Sequence, residues 1–372
     1  MSIDSDILTG YHHFPEPSGA MLYIQSGDTT DFDGYMIAAA AQQVCANNPR
    51  MECAIILPER RACPDISEIN MMTHDPIYGE EVVETSAKLL RLLCPSSMIV
   101  KGPLNSRNVI PHKFAFNEVK GYGPLIEAYD VEHGLQDMDD LAKRIKDPEI
   151  TAIIIDVNGS VGYLVELKKL FGDEIIQVLG EKMKASGKPI VFMAGILAEI
   201  EPMTLSLPGR DARSTMNAIY SPEGVRIILD IAKKHDIELL FVSNNVCNKL
   251  LRFNDAQDVK TSMGLDGLLA QISDEWYDRP HLRGKCVPFD WVSFCAMLMF
   301  GKTDVNGAVV QTEERDLMVG VGDASVLVLA GLEPLASNMM GTERWGAVKS
   351  VIHIDAIMMM RLSSVISKIY LC

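Results

Sequence analysis

The sequence predicts an α/β protein: a mainly parallel, open sheet with helices on both faces. Two observations carry this. Short apolar runs alternate with amphipathic stretches through the first two thirds of the chain, the pattern of parallel strands linked by crossover helices. The strand-like runs are apolar along their length and several are rich in β-branched residues, as strands covered on both faces must be.

The elements follow in order. AMLYIQ (20–25) reads as a buried strand and YMIAAAAQQVCA (35–46) as the helix behind it. ECAIIL (52–57) is a strand, and EEVVETSAKLLRLL (80–93) a helix with apolar residues at i, i+3 and i+4. SSMIVKG (96–102) is a third strand, MDDLAKRIK (138–146) a helix and ITAIIID (150–156) a strand. Residues 161–186 are helical with a break near Gly172, and PIVFMAG (189–195) is the next strand. Helix 221–235 starts on a capping Ser221, Pro222 at the first helical position and the acid Glu223. Strand IELLFVS (237–243) completes the pattern. Residues 58–79 and 196–214 break the periodicity and read as excursions above the sheet. The expected organisation is a tail over 1–20 and one domain over 21–372.

Composition excludes several classes. With 48% hydrophobic and 23% charged residues over 372 positions, the chain can bury a large core and is not a disordered polymer. A formal charge of −16 is the wrong sign for a nucleic-acid binder and is repelled by anionic membranes. No apolar run reaches the roughly 18 residues needed to span a bilayer. MSIDSDILTGYHHFPEPSG lacks the basic and apolar regions of a signal peptide; a cytoplasmic location is therefore expected. The eight cysteines form no CxxC pair and several sit in apolar runs, which fits reduced core thiols rather than a zinc site.

The first segment with chemistry in it is QSGDTTDFDG (25–34), where Asp28, Asp31 and Asp33 fall between a buried strand and a helix. Ligands of open parallel sheets bind at the carboxyl ends of the strands. Carboxylates crowded there repel one another unless a proton or cation intervenes, and oxygen ligands suit Mg²⁺ or Ca²⁺. An acidic loop with an aspartate helix cap is the plainer reading of the same residues.

Two family resemblances compete for this segment. Asp31-Phe32-Asp33-Gly34 resembles the Asp-x-Asp-Gly loop of haloacid-dehalogenase-type phosphatases, with LLFVSNN (239–245) and VGVGDAS (319–325) as their later motifs. That reading expects Asp31 and Asp33 to face Ser243 and Asp323 in one cleft. Against it, Asp31 lies six residues beyond the apolar strand. The second resemblance covers roughly 20–370 and is to the nucleoside hydrolases, whose N-terminal pattern is Asp-x-Asp-x-x-x-Asp-Asp. Laid without gaps, that pattern falls on Ser26 to Asp33 and retains two acids, Asp28 and Asp33. Further segments are similar in the same order: IIIDVNGSVGYL, PIVFMAG, Thr215-Met216-Asn217 followed by Ser221-Pro222-Glu223, PFDWVSFCAML (288–298) and VIHIDAIMMMRLSSVISKI (351–369).

The nucleoside hydrolase resemblance implies a Ca²⁺-dependent N-ribosyl hydrolase that converts nucleoside and water to ribose and base. It puts Asp28 as metal ligand and general base, Asp33 and Asp290 as metal ligands, the Gly159 carbonyl as a fourth ligand, and Asn217 on the ribose. It implies a small nucleoside-like ligand and a homo-oligomer. The sequence departs from the family at Phe32, Thr215 and Phe289, where carboxylate, carboxylate and histidine are usual, and the ribose-binding Gly-Asn of the second strand appears as Glu59-Arg60. Each lost charged hydrogen bond is worth about 1.5–3 kcal/mol. A catalytically inactive binding or structural protein on the same fold is the alternative.

Overall fold

In a computed structural model, residues 19–27, 31–57, 60–61, 77–105, 126, 134–200, 211, 213–278, 284, 286–304, 307–331 and 333–369 are described. Their centre is a ten-stranded sheet. Its parallel part runs β4 (Met98–Val100), β2 (Met51–Ile56), β1 (Ala20–Gly27), β6 (Ile150–Asn158), β7 (Ile190–Phe192) and β9 (Leu239–Phe241). The two-residue strands β3 (Arg60–Arg61) and β5 (Leu104–Asn105) pair with each other outside this sheet. The expected α/β architecture is present, with strand and helix bounds close to those read from the periodicity.

The sequence reading left the C-terminal third mostly unassigned, and here the sheet changes character. β14 (Thr342–Ile354) continues the parallel order beside β9, then β12 (Val310–Gly320) runs antiparallel to β14 and to β13 (Asp323–Ala330). β8 (Ile196–Leu197) closes that edge, parallel to β13. A second two-stranded piece, β10 (Thr303–Asp304) with β11 (Gly307–Ala308), precedes β12. A hairpin needs no crossover helix, so strand–helix alternation carries no sign of this region.

Side-chain alternation divides the core. Tyr23, Ile154, Val191, Met193 and Leu240 face one layer, whereas Leu22, Ile24, Ile153, Ile155, Phe192 and Phe241 face the other. On the first face lies α1 (Phe32–Ala46), with Ala38 to Ala41 each 0% exposed. It is buried nearly all round because it is sandwiched between the sheet and an outer set of helices. Those include α2 (Ile77–Leu93), α8 (Ala256–Met263), α9 (Gly267–Tyr277), α10 (Phe289–Met299) and α12 (Ala356–Ile369). On the second face pack α3 (Met138–Lys146), α4 (Gly162–Ala185) and α6 (Pro222–His235).

Local signals set these helices. Asp137 caps α3, with acids in its first turn and bases in its last, complementing the helix dipole. Gly172 adopts φ 75°, ψ −171° inside α4 and produces the expected break, a conformation open to glycine. Ser221 accepts from Gly224 N–H and Pro222 opens α6 as expected. Among the described residues, no helix is long and apolar enough to cross a membrane.

Candidate active site at the carboxyl ends of the central strands

Two helix N-termini meet beyond the end of β1. Asp31 caps α1 by accepting from Gly34 N–H, at 3.2 Å. Asp33 sits in the first turn of α1 and Asp290 in the first turn of α10, at 3% and 5% exposure. Pro288, at the N-cap of α10, makes no side-chain cap. Asp33 does that work from 257 residues away: its Oδ2 accepts the Asp290 backbone N–H at 2.8 Å. A carboxylate at a helix N-terminus satisfies an orphan donor and the helix dipole together.

This contact draws three carboxylates together. Asp31, Asp33 and Asp290 each offer an oxygen within 4.8 Å of the others. Oxygens bound to Ca²⁺ at 2.3–2.6 Å are separated by at most about twice that distance, so one hard cation reaches all three. With no counter-charge, two carboxylates 4.8 Å apart repel by about 3.5 kcal/mol at an effective dielectric constant of 20. The donor set, its oxygen chemistry and its burial therefore fit a divalent cation.

Apolar and polar side chains wall this cluster. Phe32 is fully buried and meets the Tyr277 ring edge-on, 5.6 Å between centroids. Burial pushes the pKa of the Tyr277 hydroxyl well above its ordinary value, and the charges of Asp33, Asp31, Cys286 and Asp290 push it further. Burial likewise raises the Cys247 thiol, followed by the charges of Asp290 and Asp33. Both groups are thus neutral neighbours of the carboxylates. Below them the sheet itself turns polar: Gln25, Ser26, Asp156 and Asn158 are buried at the ends of β1 and β6. Burial pushes Asp156 up to about 7, against hydrogen bonds from Tyr23 and Asn158 that pull it down.

No protein-family model matches the sequence, and no curated protein matches it by sequence. Solved structures do match. A plant nucleoside hydrolase, PpNRh1, superposes with a TM-score of 0.56 at 13% identity, over 94% of this chain and 98% of that one. A purine-preferring ribonucleoside hydrolase from Gardnerella vaginalis gives 0.54 at 16% identity, over 93% and 99%. The type III effector protein XopQ, solved in complex with adenosine diphosphate ribose, gives 0.51 at 13% identity, over 100% and 99%. The chain has the nucleoside hydrolase fold. It is a divergent version, since the match extends over nearly the full length at very low identity.

Within the nucleoside hydrolase fold, the residues expected from sequence have different outcomes. Asp33 and Asp290 are brought together. Asp28 lies outside the described residues, as does Glu59. Asp31 takes a place in the cluster, although the family alignment treats it as a spacer. Its sequence signal was the helix-cap pattern, Asp before a small-residue helix, which aims the carboxylate along the same helix end as Asp33. Gly159 is buried directly after β6, beside the end of β1. Asn217 lies on the short helix α5 (Met216–Tyr220), where its Nδ2 donates to the Met193 carbonyl at 2.9 Å, two strands along from β1.

The departures from the family are also structural. Phe32 is a core side chain in contact with Tyr277, not a ligand group. Thr215 is 5% exposed and makes no cap hydrogen bond to α5. Phe289 is half-buried against the same core. The phosphatase expectation fails on topology. Asp323 starts β13 beside Gly320 and, through β12, lies level with Thr342 at the start of β14. Ser243 follows β9, whose end is level with Ser350. Asp323 is therefore at the opposite edge of the sheet from the strand ends, because a hairpin reverses the chain where a parallel crossover would have returned it. Six of the eight cysteines, Cys45, Cys53, Cys94, Cys247, Cys286 and Cys295, are free and buried, as expected of core thiols.

Proposed function

We propose that the protein is a divergent N-ribosyl hydrolase that uses a divalent cation, Ca²⁺ in the first instance, to cleave a nucleoside-like compound into ribose and base. The observation that carries this reading is the convergence of Asp33 and Asp290 from two distant helices, joined by the 2.8 Å contact and accompanied by Asp31. Asp33, Asp290 and Asp31 would hold the cation, with Asp28 and the Gly159 carbonyl as the further ligands that the family resemblance gives. When bound, such an ion lowers the pKa of a coordinated water and fixes its direction of attack. Asp28 would serve as the general base, the role that the family resemblance gives it. The remaining carboxylate charge favours a sugar that becomes cationic as its bond to nitrogen breaks. Asn217 orients the ribose, its amide held by the Met193 carbonyl. The Tyr277–Phe32 pair excludes water from one side.

A second reading is favoured by Phe32. A buried phenyl ring replaces a ribose-binding carboxylate, which removes affinity for hydroxyls without removing the cation ligands. A protein that binds a nucleoside-like ligand and does not turn it over follows from that. The XopQ neighbour was solved with adenosine diphosphate ribose, so an adenosine-containing ligand belongs in the test. Ribose release from a panel of purine and pyrimidine nucleosides, with and without chelator, separates the two. Calcium-dependent release that is lost in Asp33→Asn supports hydrolysis. Saturable ligand binding with no release supports the second reading. The resemblance also carries a homo-oligomer into this proposal, and the N-terminal sequence a cytoplasmic location; sedimentation and localisation of a tagged chain check them.

A further inference from the structure

The row of side chains facing α1 and α10 stays apolar along β1 and β6 and then becomes polar at their ends. Gln25 lies beside Asp156 in the parallel pairing, and Gly27 lies beside Asn158. Gln25, Asp156 and Asn158 are each 0% exposed.

Hydrogen-bond accounting in this group is one-sided. The Tyr23 hydroxyl and Asn158 Nδ2 both donate to Asp156 Oδ2, at 3.1 and 2.6 Å. Gln25 Nε2 donates to the Gly34 carbonyl at 3.4 Å, and Ser26 Oγ to the Asp156 carbonyl at 3.3 Å. Within this group, three buried acceptors take no hydrogen bond: Gln25 Oε1, Asp156 Oδ1 and Asn158 Oδ1. An unsatisfied buried acceptor costs about 1–3 kcal/mol, and these three sit on adjoining side chains, Gln25 beside Asp156 across the strands and Asn158 two residues on, so one occupant shared among them is the economical solution.

Charge decides what kind. No basic side chain is among the influences on Asp156; burial dominates and only neutral donors oppose it. A water supplies hydrogens but leaves a buried carboxylate uncompensated. A proton on Oδ1 satisfies that atom and one amide oxygen and leaves the other bare. A single positive ion satisfies all three oxygens and neutralises the charge. Divalent ions collect several carboxylates, and this group has one.

We propose that Gln25 Oε1, Asp156 Oδ1 and Asn158 Oδ1 hold one dehydrated monovalent cation, sodium or potassium, inside the sheet and apart from the Asp31–Asp33–Asp290 cluster. It ties the ends of β1 and β6 together. The site does not depend on the hydrolase reading and stands or falls separately.

Thermal unfolding tests it, on the full chain, in chelator, at constant ionic strength, with choline chloride replaced stepwise by sodium or potassium chloride. The midpoint should rise saturably by about 2 °C or more with at least one of the two ions. Asp156→Asn, which preserves shape, should lose the rise, and Gln25→Leu, which preserves volume, should weaken it. Asp290→Asn, at the other cluster, should keep it. No rise with either ion, an undiminished rise in both Asp156→Asn and Gln25→Leu, or loss of the rise in Asp290→Asn overturns the proposal. If Asp156→Asn does not fold, the Gln25→Leu result decides.

Discussion

Replacing Asp290 by asparagine should stabilise the metal-free protein and remove its response to calcium. The backbone N–H of Asp290 still donates to Asp33 in this variant, so the helix cap survives. What changes is charge. Asp33 and Asp290 are both buried and have carboxylate oxygens within 4.8 Å, which costs about 3.5 kcal/mol in the absence of a cation. Asp31 is half-buried and its share is screened by solvent. Asp290→Asn should therefore be more stable than wild type by about 3 kcal/mol at pH 7 in chelator. Saturating calcium should reverse the order, because the wild type gains binding energy that the variant lacks. Urea unfolding of both proteins, with chelator and with calcium, measures all four. A variant less stable than wild type in chelator at pH 7, or an equal calcium shift in both proteins, refutes the electrostatic reasoning.

Other outcomes follow from single contacts. Asp156 is pushed up to about 7 in the folded state, so it binds its proton more tightly there than in the unfolded chain. Its contribution is fully present below the unfolded value near 4 and is lost as pH rises through 7. In buffers free of sodium and potassium, wild type should lose about 3 kcal/mol relative to Asp156→Asn between pH 4 and 7, read by chemical unfolding; a flat difference contradicts it. Tyr23→Phe removes the 3.1 Å hydroxyl donor to Asp156. It should cost about 1.5–3 kcal/mol above pH 7 and less below pH 5, and an effect independent of pH would show that the hydroxyl acts elsewhere. A Cβ at Gly224 would stand 2.4 Å from the Val161 carbonyl oxygen, so Gly224→Ala should lower the melting temperature by several degrees although alanine is the better helix former. An unchanged melting temperature would mean the turn before α4 yields freely.

Much of the parallel half was legible in the residues. Runs such as ITAIIID and the Ser221-Pro222-Glu223 start needed no tertiary information, because burial on both faces and helix capping leave local patterns. The hairpin of β12 and β13 was not legible as part of the same sheet. Its strand β12 carries Glu313, Glu314, Arg315 and Asp316 in succession, with Arg315 neutralised by Glu199 and Glu313, and such a run reads as surface until its partners are known. The pairing of Asp33 with Asp290 was recoverable only through family order, since nothing local to either residue encodes a contact across 257 positions. Asp31 was visible as a cap, yet its membership of the cluster depends on where α10 begins. The buried group at Gln25, Asp156 and Asn158 had no sequence signal beyond polar letters at the ends of apolar strands, because its meaning lies in the register that sets Gln25 beside Asp156.

The proposed site for one divalent cation is Asp31, Asp33 and Asp290. Calorimetric titration of the metal-free protein with calcium tests it most directly. One calcium per chain, bound by wild type and abolished in both Asp33→Asn and Asp290→Asn with each variant still folded, is the predicted result. No binding by wild type, or binding undiminished in the two variants, would contradict it.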